Sequence, residues 1–221
     1  MDWQPLWLSF QIAATAIVIA SVLGIALAGL LAHSRFPGRE FVDVLITAPM
    51  VLPPTVLGYY LLVFLGRQSF LGQTFEAITG GTIVFSRTGA VIAATVAALP
   101  FVIKSARAAM EDVDGRLLSV ARTLGASRTR VFFTVVLPLS MSGVYAGIAL
   151  GFARALGEFG VTLMLAGNIP GRTQTGALAI YDAVQGQRDA EALGMVLILT
   201  AFAIGVLYMV NKLARPRRHA W

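Results

Sequence analysis

The chain contains no cysteine, and charged residues occupy only 13% of its 221 positions. The absence of cysteine excludes disulfide bonds, thiolate metal sites and a cysteine nucleophile. Lys104 and Lys212 are the only lysines, and neither lies in the glycine-rich loop that holds phosphates in P-loop ATPases. The two histidines, at positions 33 and 219, lack metal-ligand spacing. We therefore predict no catalytic residue, no cofactor and no metal site, and ATP binding through a P-loop is excluded.

Hydrophobic residues dominate instead, at 57% of the chain with a mean hydropathy of +0.78. This composition is typical of proteins that cross a membrane several times. A helix needs about 20 apolar residues to span the bilayer. Five stretches of one all-α membrane domain, 1-221, meet this requirement: 6-33, 43-66, 88-109, 131-156 and 191-213. Apolar sequence after the fourth stretch runs on to Gly167, so a sixth, short membrane element is an alternative.

Lysine and arginine fall unevenly between these spans, and cytoplasmic loops of membrane proteins carry the excess. Twelve lie on one side: Arg35, Arg39, Lys104, Arg107, Arg116, Arg122, Arg128, Arg130, Lys212, Arg215, Arg217 and Arg218. Four lie on the other: Arg67, Arg87, Arg172 and Arg188. We expect the N-terminus outside, the C-terminus inside, and the loop 104-130 in the cytoplasm. Membrane topology and lipid contact explain the net charge of +6 more simply than a nucleic-acid partner does.

The loop at about 111-130 combines dense positive charge with an amphipathic pattern. Four apolar residues recur with helical spacing and are expected to share one side of a short helix: Leu117, Leu118, Ala121 and Leu124. Gly125 follows where a left-handed helix stop needs a residue without Cβ. Ser127 can then cap a second helix. A generic amphipathic helix at the membrane surface is the alternative interpretation.

Prolines interrupt the second predicted span. Pro53 removes a backbone donor, and Pro54 suits the first turn of a half-helix. Such a half-helix would leave three amides free to face an anion: Thr55, Val56 and Leu57. A packed kink without a ligand is the alternative.

Arg154 and Glu158 form an ionisable pair at the end of the fourth span. At i and i+4 they share a helix face and can neutralise each other. Each alone would cost about 2.5–3.5 kcal/mol at the centre of a span, so we expect them to face the bundle interior. Arg154 can serve as a counter-charge for an anion, with Glu158 holding it between transport events. A buried structural salt bridge is the alternative, and Gly157 and Gly160 allow the helix to break here.

Small residues recur at intervals of four on two spans. The fourth span carries Gly143, Gly147, Gly151 and Ala155, and the third carries Ala90, Ala94 and Ala98. Close backbone approach is how helices associate in lipid. We expect both stripes to pack within the chain rather than to form a dimer seam.

Several of these stretches carry a resemblance to a known family. Ala121, Gly125 and the later Val135-x-Leu137-Pro138 resemble the EAA-type coupling loop of bacterial ABC importer permeases, although Ser119 and Val120 stand where that family has Glu and Ala. The stretches 51-62 and 169-181 resemble molybdate permeases. The stretch 154-160 resembles both molybdate and sulfate/thiosulfate permeases.

The resemblance implies a type I ABC importer permease fold in the bacterial inner membrane. It implies a homodimer bound to two ATPase subunits and served by a periplasmic molybdate-binding protein, so that ATP hydrolysis resides in a partner and not in this chain. The helix at about 115-126 would couple to the ATPase through Leu118, Ala121, Arg122, Leu124, Gly125, Leu137 and Pro138. The implied pathway and gate residues are Pro53, Pro54, Thr55, Arg154 and Glu158.

The sequence leaves other functions as alternatives. A sulfate/thiosulfate or tungstate permease would have the same architecture. A secondary anion transporter or channel predicts inverted repeats and no docking segment, and five spans do not divide evenly. An intramembrane enzyme would need paired acids, a metal cluster or a nucleophile at depth.

Overall fold

The computed structural model describes residues 3–33 and 36–213, which form helices joined by turns. In chain order these are α1 Gln4–His33, α2 Arg39–Val51, α3 Pro54–Leu65, α4 Phe70–Thr79, α5 Arg87–Glu111, α6 Gly115–Thr123, α7 Arg128–Val131, α8 Leu137–Leu139, α9 Met141–Leu156, α10 Gly160–Ala166, α11 Gly176–Gln185 and α12 Asp189–Leu213. A π-helical turn, Phe132–Val136, joins α7 to α8. The predicted all-α fold is confirmed. Of the basic residues counted for topology, Arg35, Arg215, Arg217 and Arg218 lie outside the described residues.

The predicted spans correspond to three single helices and two bent pairs. Helices α1, α5 and α12 are each long and apolar enough to cross a membrane. The pair α2–α3 bends by 116°, and the segment Arg128–Leu139 meets α9 at 73°. The second and fourth spans are therefore not straight helices, and α10 follows the fourth as a separate short helix.

The bend between α2 and α3 has a local cause. Pro53 has an extended backbone with a ψ of 135°, and Pro54 begins α3. Proline cannot donate the hydrogen bond that would continue α2, and its fixed φ suits the first turn of a new helix. The predicted half-helix that starts at Pro54 is confirmed.

The long helices α1, α5 and α9 form the centre of the bundle, and small residues set their separation. A Cβ atom added at Gly147 would lie 2.9 Å from Cβ of Ser105 and 3.2 Å from the Phe101 carbonyl oxygen. One added at Gly151 would lie 2.9 Å from Ile17 of α1. Helices in lipid are held by this kind of close van der Waals packing. The small-residue stripe of α9 therefore packs within the chain, as predicted.

A second group of contacts joins α3 and α10 to the end of α5 that begins at Arg87. Leu57 of α3, Ala93 of α5, and Val161 and Leu165 of α10 form one buried apolar cluster. Gly58 permits the approach, because a Cβ atom there would lie 2.6 Å from Cβ of Met164. The two interrupted segments of the chain are thus packed against each other.

The packing at Gly147 generates a stability prediction. Gly147→Leu should lower the free energy of unfolding by about 1–3 kcal/mol, because the new side chain has to displace α5 backbone and Ser105. Gly205→Leu on α12 is the matched control, since no atom lies within 4 Å of its added Cβ. Thermal unfolding of both purified variants in detergent measures the difference. Equal midpoints would show that the α5–α9 contact does not limit stability.

Candidate functional site

The loop that follows α5 folds as a short, capped helix, here called the coupling helix (α6, Gly115–Thr123). Asp114 caps its start, where Oδ1 accepts a hydrogen bond of 2.9 Å from the amide of Arg116. At its end Gly125 donates to the Arg122 carbonyl at 2.9 Å, and Ala126 donates to the Ala121 carbonyl at 3.1 Å. These paired bonds form a Schellman stop, which requires a left-handed residue. Gly125 has a φ of +80°, so its predicted role as the left-handed helix stop is confirmed.

The second helix predicted after this stop is also present. The hydroxyl of Ser127 accepts a hydrogen bond of 3.3 Å from the amide of Arg130 and caps α7. The chain then passes through the π-helical turn, and Pro138 lies in the first turn of α8. The Leu-Pro part of the coupling sequence therefore leads the chain from the coupling helix back to α9.

One expectation about the coupling helix is wrong. Leu118 and Ala121 pack against the buried cluster that contains Val131, whereas Leu117 and Leu124 are 48% and 83% exposed. The four apolar residues do not share one buried side, because 100° per residue places Leu118 and Leu124 about 120° apart around the axis. Leu118 and Ala121 attach the helix to the body of the protein, and Leu124 points away from it.

The other predicted coupling residues also include one that packs on the body of the protein and several that are exposed. Leu137 packs on the cluster that holds Leu118. Arg122, Gly125 and Pro138 are exposed. Val120, which was not singled out from the sequence, is 57% exposed and adds to the apolar surface of the helix. The coupling helix thus presents an unpaired apolar edge that consists of Leu117, Val120 and Leu124, flanked by arginine.

The two helix breaks, more than a hundred positions apart in sequence, meet in the structure. A Cβ atom added at Gly160 would lie 2.6 Å from Cβ of Pro54. The start of α3 therefore rests directly on the start of α10, and only glycine leaves room for the proline ring. Gly160 follows Glu158 by two residues. The contact therefore places the predicted pathway residue Pro54 beside the helix break that Glu158 occupies.

Glu158 occupies the break between α9 and α10 and makes two contacts. Its Oε1 accepts a hydrogen bond of 2.8 Å from the Val161 amide, which caps the first turn of α10. Its Oε2 lies 2.6 Å from Nη1 of Arg154 and forms an ion pair with it. The Glu158 side chain is 1% exposed and that of Arg154 is 31% exposed. The predicted pair is formed, with the carboxylate inside and the guanidinium partly open.

The predicted row of free amides at the start of α3 is wrong. The amides of Val56 and Leu57 donate to the Pro53 carbonyl at 2.9 and 3.1 Å. Because Pro53 lies just before the helix, its carbonyl accepts the first regular helical bond, from Leu57, and a tighter bond from Val56, whose amide a helix start otherwise leaves unpaired. The side chains of Pro53, Pro54 and Thr55 are exposed. An anion at this point would meet side chains rather than a row of amides.

A cluster of charges that the sequence analysis did not identify joins α2 to α5. Asp43 accepts hydrogen bonds of 2.9 Å on both carboxylate oxygens from Lys104, and one of 2.7 Å from Arg107. Glu111 accepts from Arg107 at 2.9 Å and from Arg39 at 2.8 Å. We call these five residues the α2–α5 ion-pair ladder. The helical spacing of residues 104, 107 and 111 is the signal that could have revealed one side of it.

Metal binding has no support from the described part of the chain. Within residues 3–33 and 36–213, no group of three or more histidine, aspartate or glutamate residues is arranged to hold a metal ion. The charged groups of the site are instead an ion pair at a helix break and an ion-pair ladder beside the coupling helix.

Comparison with known proteins identifies the same architecture. Residues 10–217 match the family described as binding-protein-dependent transport system inner membrane component. The chain is 42% identical to the molybdenum transport system permease protein ModB of Escherichia coli K12, over 98% of this chain and 95% of that protein. It is 32% identical to a probable sulfate transport system permease protein of Zygnema circumcarinatum, over 95% of this chain and 73% of that protein.

Solved structures with the same fold come from ABC transporters. An ABC transporter that imports the acidic polysaccharide alginate has a TM-score of 0.77 at 16% identity, covering 98% of this chain and 79% of that one. The inward-facing MetNI methionine ABC transporter has a TM-score of 0.73 at 17% identity, covering 96% and 93%. At these identities the likeness establishes the fold alone.

The unequal burial of Arg154 and Glu158 generates a prediction. Arg154→Gln leaves an unpaired buried carboxylate and should cost about 3 kcal/mol of stability at neutral pH. Glu158→Gln breaks the same pair but costs less, because Arg154 is partly open to solvent and glutamine keeps an oxygen for the Val161 amide. Thermal unfolding of the two variants tests this order. A larger loss for Glu158→Gln would contradict the assigned burial of the pair.

Proposed function

The chain belongs to the family of binding-protein-dependent transport system inner membrane components, and we propose that it is the permease subunit of an ATP-driven importer of molybdate. The observation that carries this proposal is the 42% identity, along nearly the whole chain, to a molybdenum transport permease. Identity to a sulfate permease is lower, at 32%. The helical bundle, with its exposed capped helix and interrupted spans, supports the same function.

We propose that two copies of the chain assemble with two ATPase subunits and receive molybdate from a periplasmic binding protein. The coupling helix and the ion-pair ladder then lie on the cytoplasmic side, with the N-terminus outside and the C-terminus inside. Leu117, Val120 and Leu124 would bury apolar area in a cleft of the ATPase. Leu118 and Ala121 pack the other side of the coupling helix against the body of the protein. A helix that has to transmit a movement needs such an attachment.

The helix breaks would form the gate of the transport pathway. Molybdate is a divalent oxyanion, and a guanidinium can bind two of its oxygens at once. Arg154 is the partly exposed cation at the break, and Glu158 competes with the anion for it. This competition keeps anion binding weak, which a pathway needs in order to release its substrate. Pro53, Pro54 and Thr55 would line the opposite side of the same gate, since Pro54 contacts Gly160.

A sulfate or thiosulfate permease is the second candidate, because sulfate permeases are also relatives of this chain. Tungstate has the same charge and shape as molybdate and would follow the same pathway. Because a weakly binding pathway discriminates poorly between such anions, we assign the choice of substrate to the binding protein.

Leu124 provides the main test of ATPase coupling. Leu124→Glu should abolish co-purification with the ATPase encoded beside this chain and the stimulation of its activity, because a charge would replace the most exposed apolar residue of the coupling helix. Ile78→Glu is the matched control: Ile78 is 79% exposed but lies on α4, away from the coupling helix. Retained ATPase binding by Leu124→Glu would contradict the docking role.

The substrate is tested on the same reconstituted transporter. Vesicles with the wild-type chain, the ATPase and the binding protein should accumulate molybdate in the presence of ATP, and excess sulfate should not compete. Because the binding protein selects the substrate, competition by sulfate at equal concentration would identify the importer as a whole, with its own binding protein, as a sulfate importer.

The absence of cysteine allows a direct test of the pathway. In Thr55→Cys the new thiol is the only one in the chain, so a charged thiol reagent should modify it and block molybdate uptake. Val18→Cys, at a position that is 64% exposed on α1, faces lipid in the proposed arrangement and should not react. Mass measurement of labelling and uptake by the labelled vesicles report the result. Unimpaired uptake after complete labelling at position 55 would remove Thr55 from the pathway.

A further inference from the structure

A short turn joins the coupling helix to the end of α5. Helix α5 ends at Glu111 and the coupling helix begins at Gly115, with Asp112 serving as the cap of the first and Asp114 as the cap of the second. Leu118 and Ala121 also pack on the cluster that contains Met110 of α5. A displacement of the coupling helix therefore moves the last turns of α5, which carry Arg107 and Glu111.

Helix α2 lies beside this part of α5 and is held to it mainly by charge. No residue of α2 is fully buried. Val42 and Ile46 pack partly on the buried cluster that contains Met110 and Val131, while Phe41 and Val44 are 66% and 64% exposed. The ion-pair ladder is the other connection between the two helices. An element with so little buried area can shift relative to its neighbour without opening a cavity.

The ladder has the geometry of a contact that can slide. Arg39 and Asp43 are one helical turn apart on α2, and Lys104, Arg107 and Glu111 follow at one-turn steps on α5. Asp43 already shares its carboxylate between two of the cations. The ladder side chains are 18–41% exposed, so an exchange of partners costs little. Displacement of one element past another by a single helical turn, about 5.4 Å, is a known form of conformational change.

The other end of α2 reaches the proposed gate. Helix α2 ends at Val51, and the chain turns by 116° into α3. Pro54 begins α3 and contacts Gly160, next to the break that Glu158 occupies. A shift of α2 along α5 therefore acts on the Pro53–Pro54 bend and on the packing of α3 against α10.

We propose that the α2–α5 ion-pair ladder transmits movement of the coupling helix to the proline bend, with Asp43 as its central positioning residue. Asp43 is central because it is the one residue of α2 that binds two cations of α5. The ladder makes the gate respond to the ATPase, and it does not contact the anion. This inference rests on the proposed importer function.

The experiment uses the complete reconstituted transporter with its ATPase, its binding protein and radioactive molybdate. Its readout is the amount of molybdate taken up per ATP hydrolysed, which is independent of how much protein has folded. Asp43→Asn should retain ATPase binding and hydrolysis while this ratio falls by roughly fivefold or more. Glu40→Gln on the same helix is the matched control, because the exposed Glu40 is not a member of the ladder, and its ratio should equal that of wild type.

A charge exchange separates transmission from simple stability. The double variant Asp43→Lys/Lys104→Asp restores one opposite pair between α2 and α5 and should recover at least about half of the wild-type ratio. A wild-type ratio in Asp43→Asn would overturn the proposal, as would a low ratio in an assembled exchange variant. If neither variant assembles, the ladder holds the fold rather than transmitting a movement, and the proposal is again wrong.

Failure of the importer function itself has a different signature. In that case wild-type vesicles would show no molybdate uptake driven by ATP and the binding protein, before any ladder variant is compared. A functional wild type with an unaltered Asp43→Asn ratio would contradict the ladder alone.

Discussion

Close approach of helices is the constraint on which the rest of this structure depends. Inside lipid, apolar side chains gain nothing by leaving the solvent, so helices associate through packing and interhelical polar contacts. Glycine on α9 brings its backbone against α5, and Gly151 also receives Ile17 of α1. The three helices form a scaffold in which little can move independently. Any movement needed for function has to occur in elements that this scaffold leaves loosely held.

The α2–α3 bend and the break between α9 and α10 are two interruptions in this scaffold. A broken helix leaves backbone donors and acceptors without partners, which lipid does not satisfy. Here each break satisfies its own donors: the Pro53 carbonyl accepts two amides of α3, and Glu158 caps α10. The contact of Pro54 with Gly160 then joins the two breaks. Irregular backbone and a buried carboxylate are thereby concentrated in one place, which is the place we propose for the gate.

Helix α5 connects this region with the proposed ATPase docking surface. Its first half packs on α3 and α10, its middle packs on α1 and α9, and its last turns carry three members of the ion-pair ladder. The coupling helix follows after a short turn. Because one rigid element contacts every functional part, the weakly held α2 is the part that can respond differently from the scaffold.

Hydropathy and local backbone chemistry were sufficient to predict the all-α class, the stop at Gly125, the cap at Ser127 and the half-helix that begins at Pro54. Each depends on residues within a few positions of one another, and the i, i+4 pair of Arg154 and Glu158 is local in the same sense. The direction in which Leu118 and Leu124 point, the use of the Val56 and Leu57 amides, the ladder around Asp43 and the contact of Pro54 with Gly160 were decided only by the tertiary structure. These features depend on contacts between helices that are far apart in the sequence. A sequence pattern shows which residues share one surface of a helix, but not which other surface packs against it.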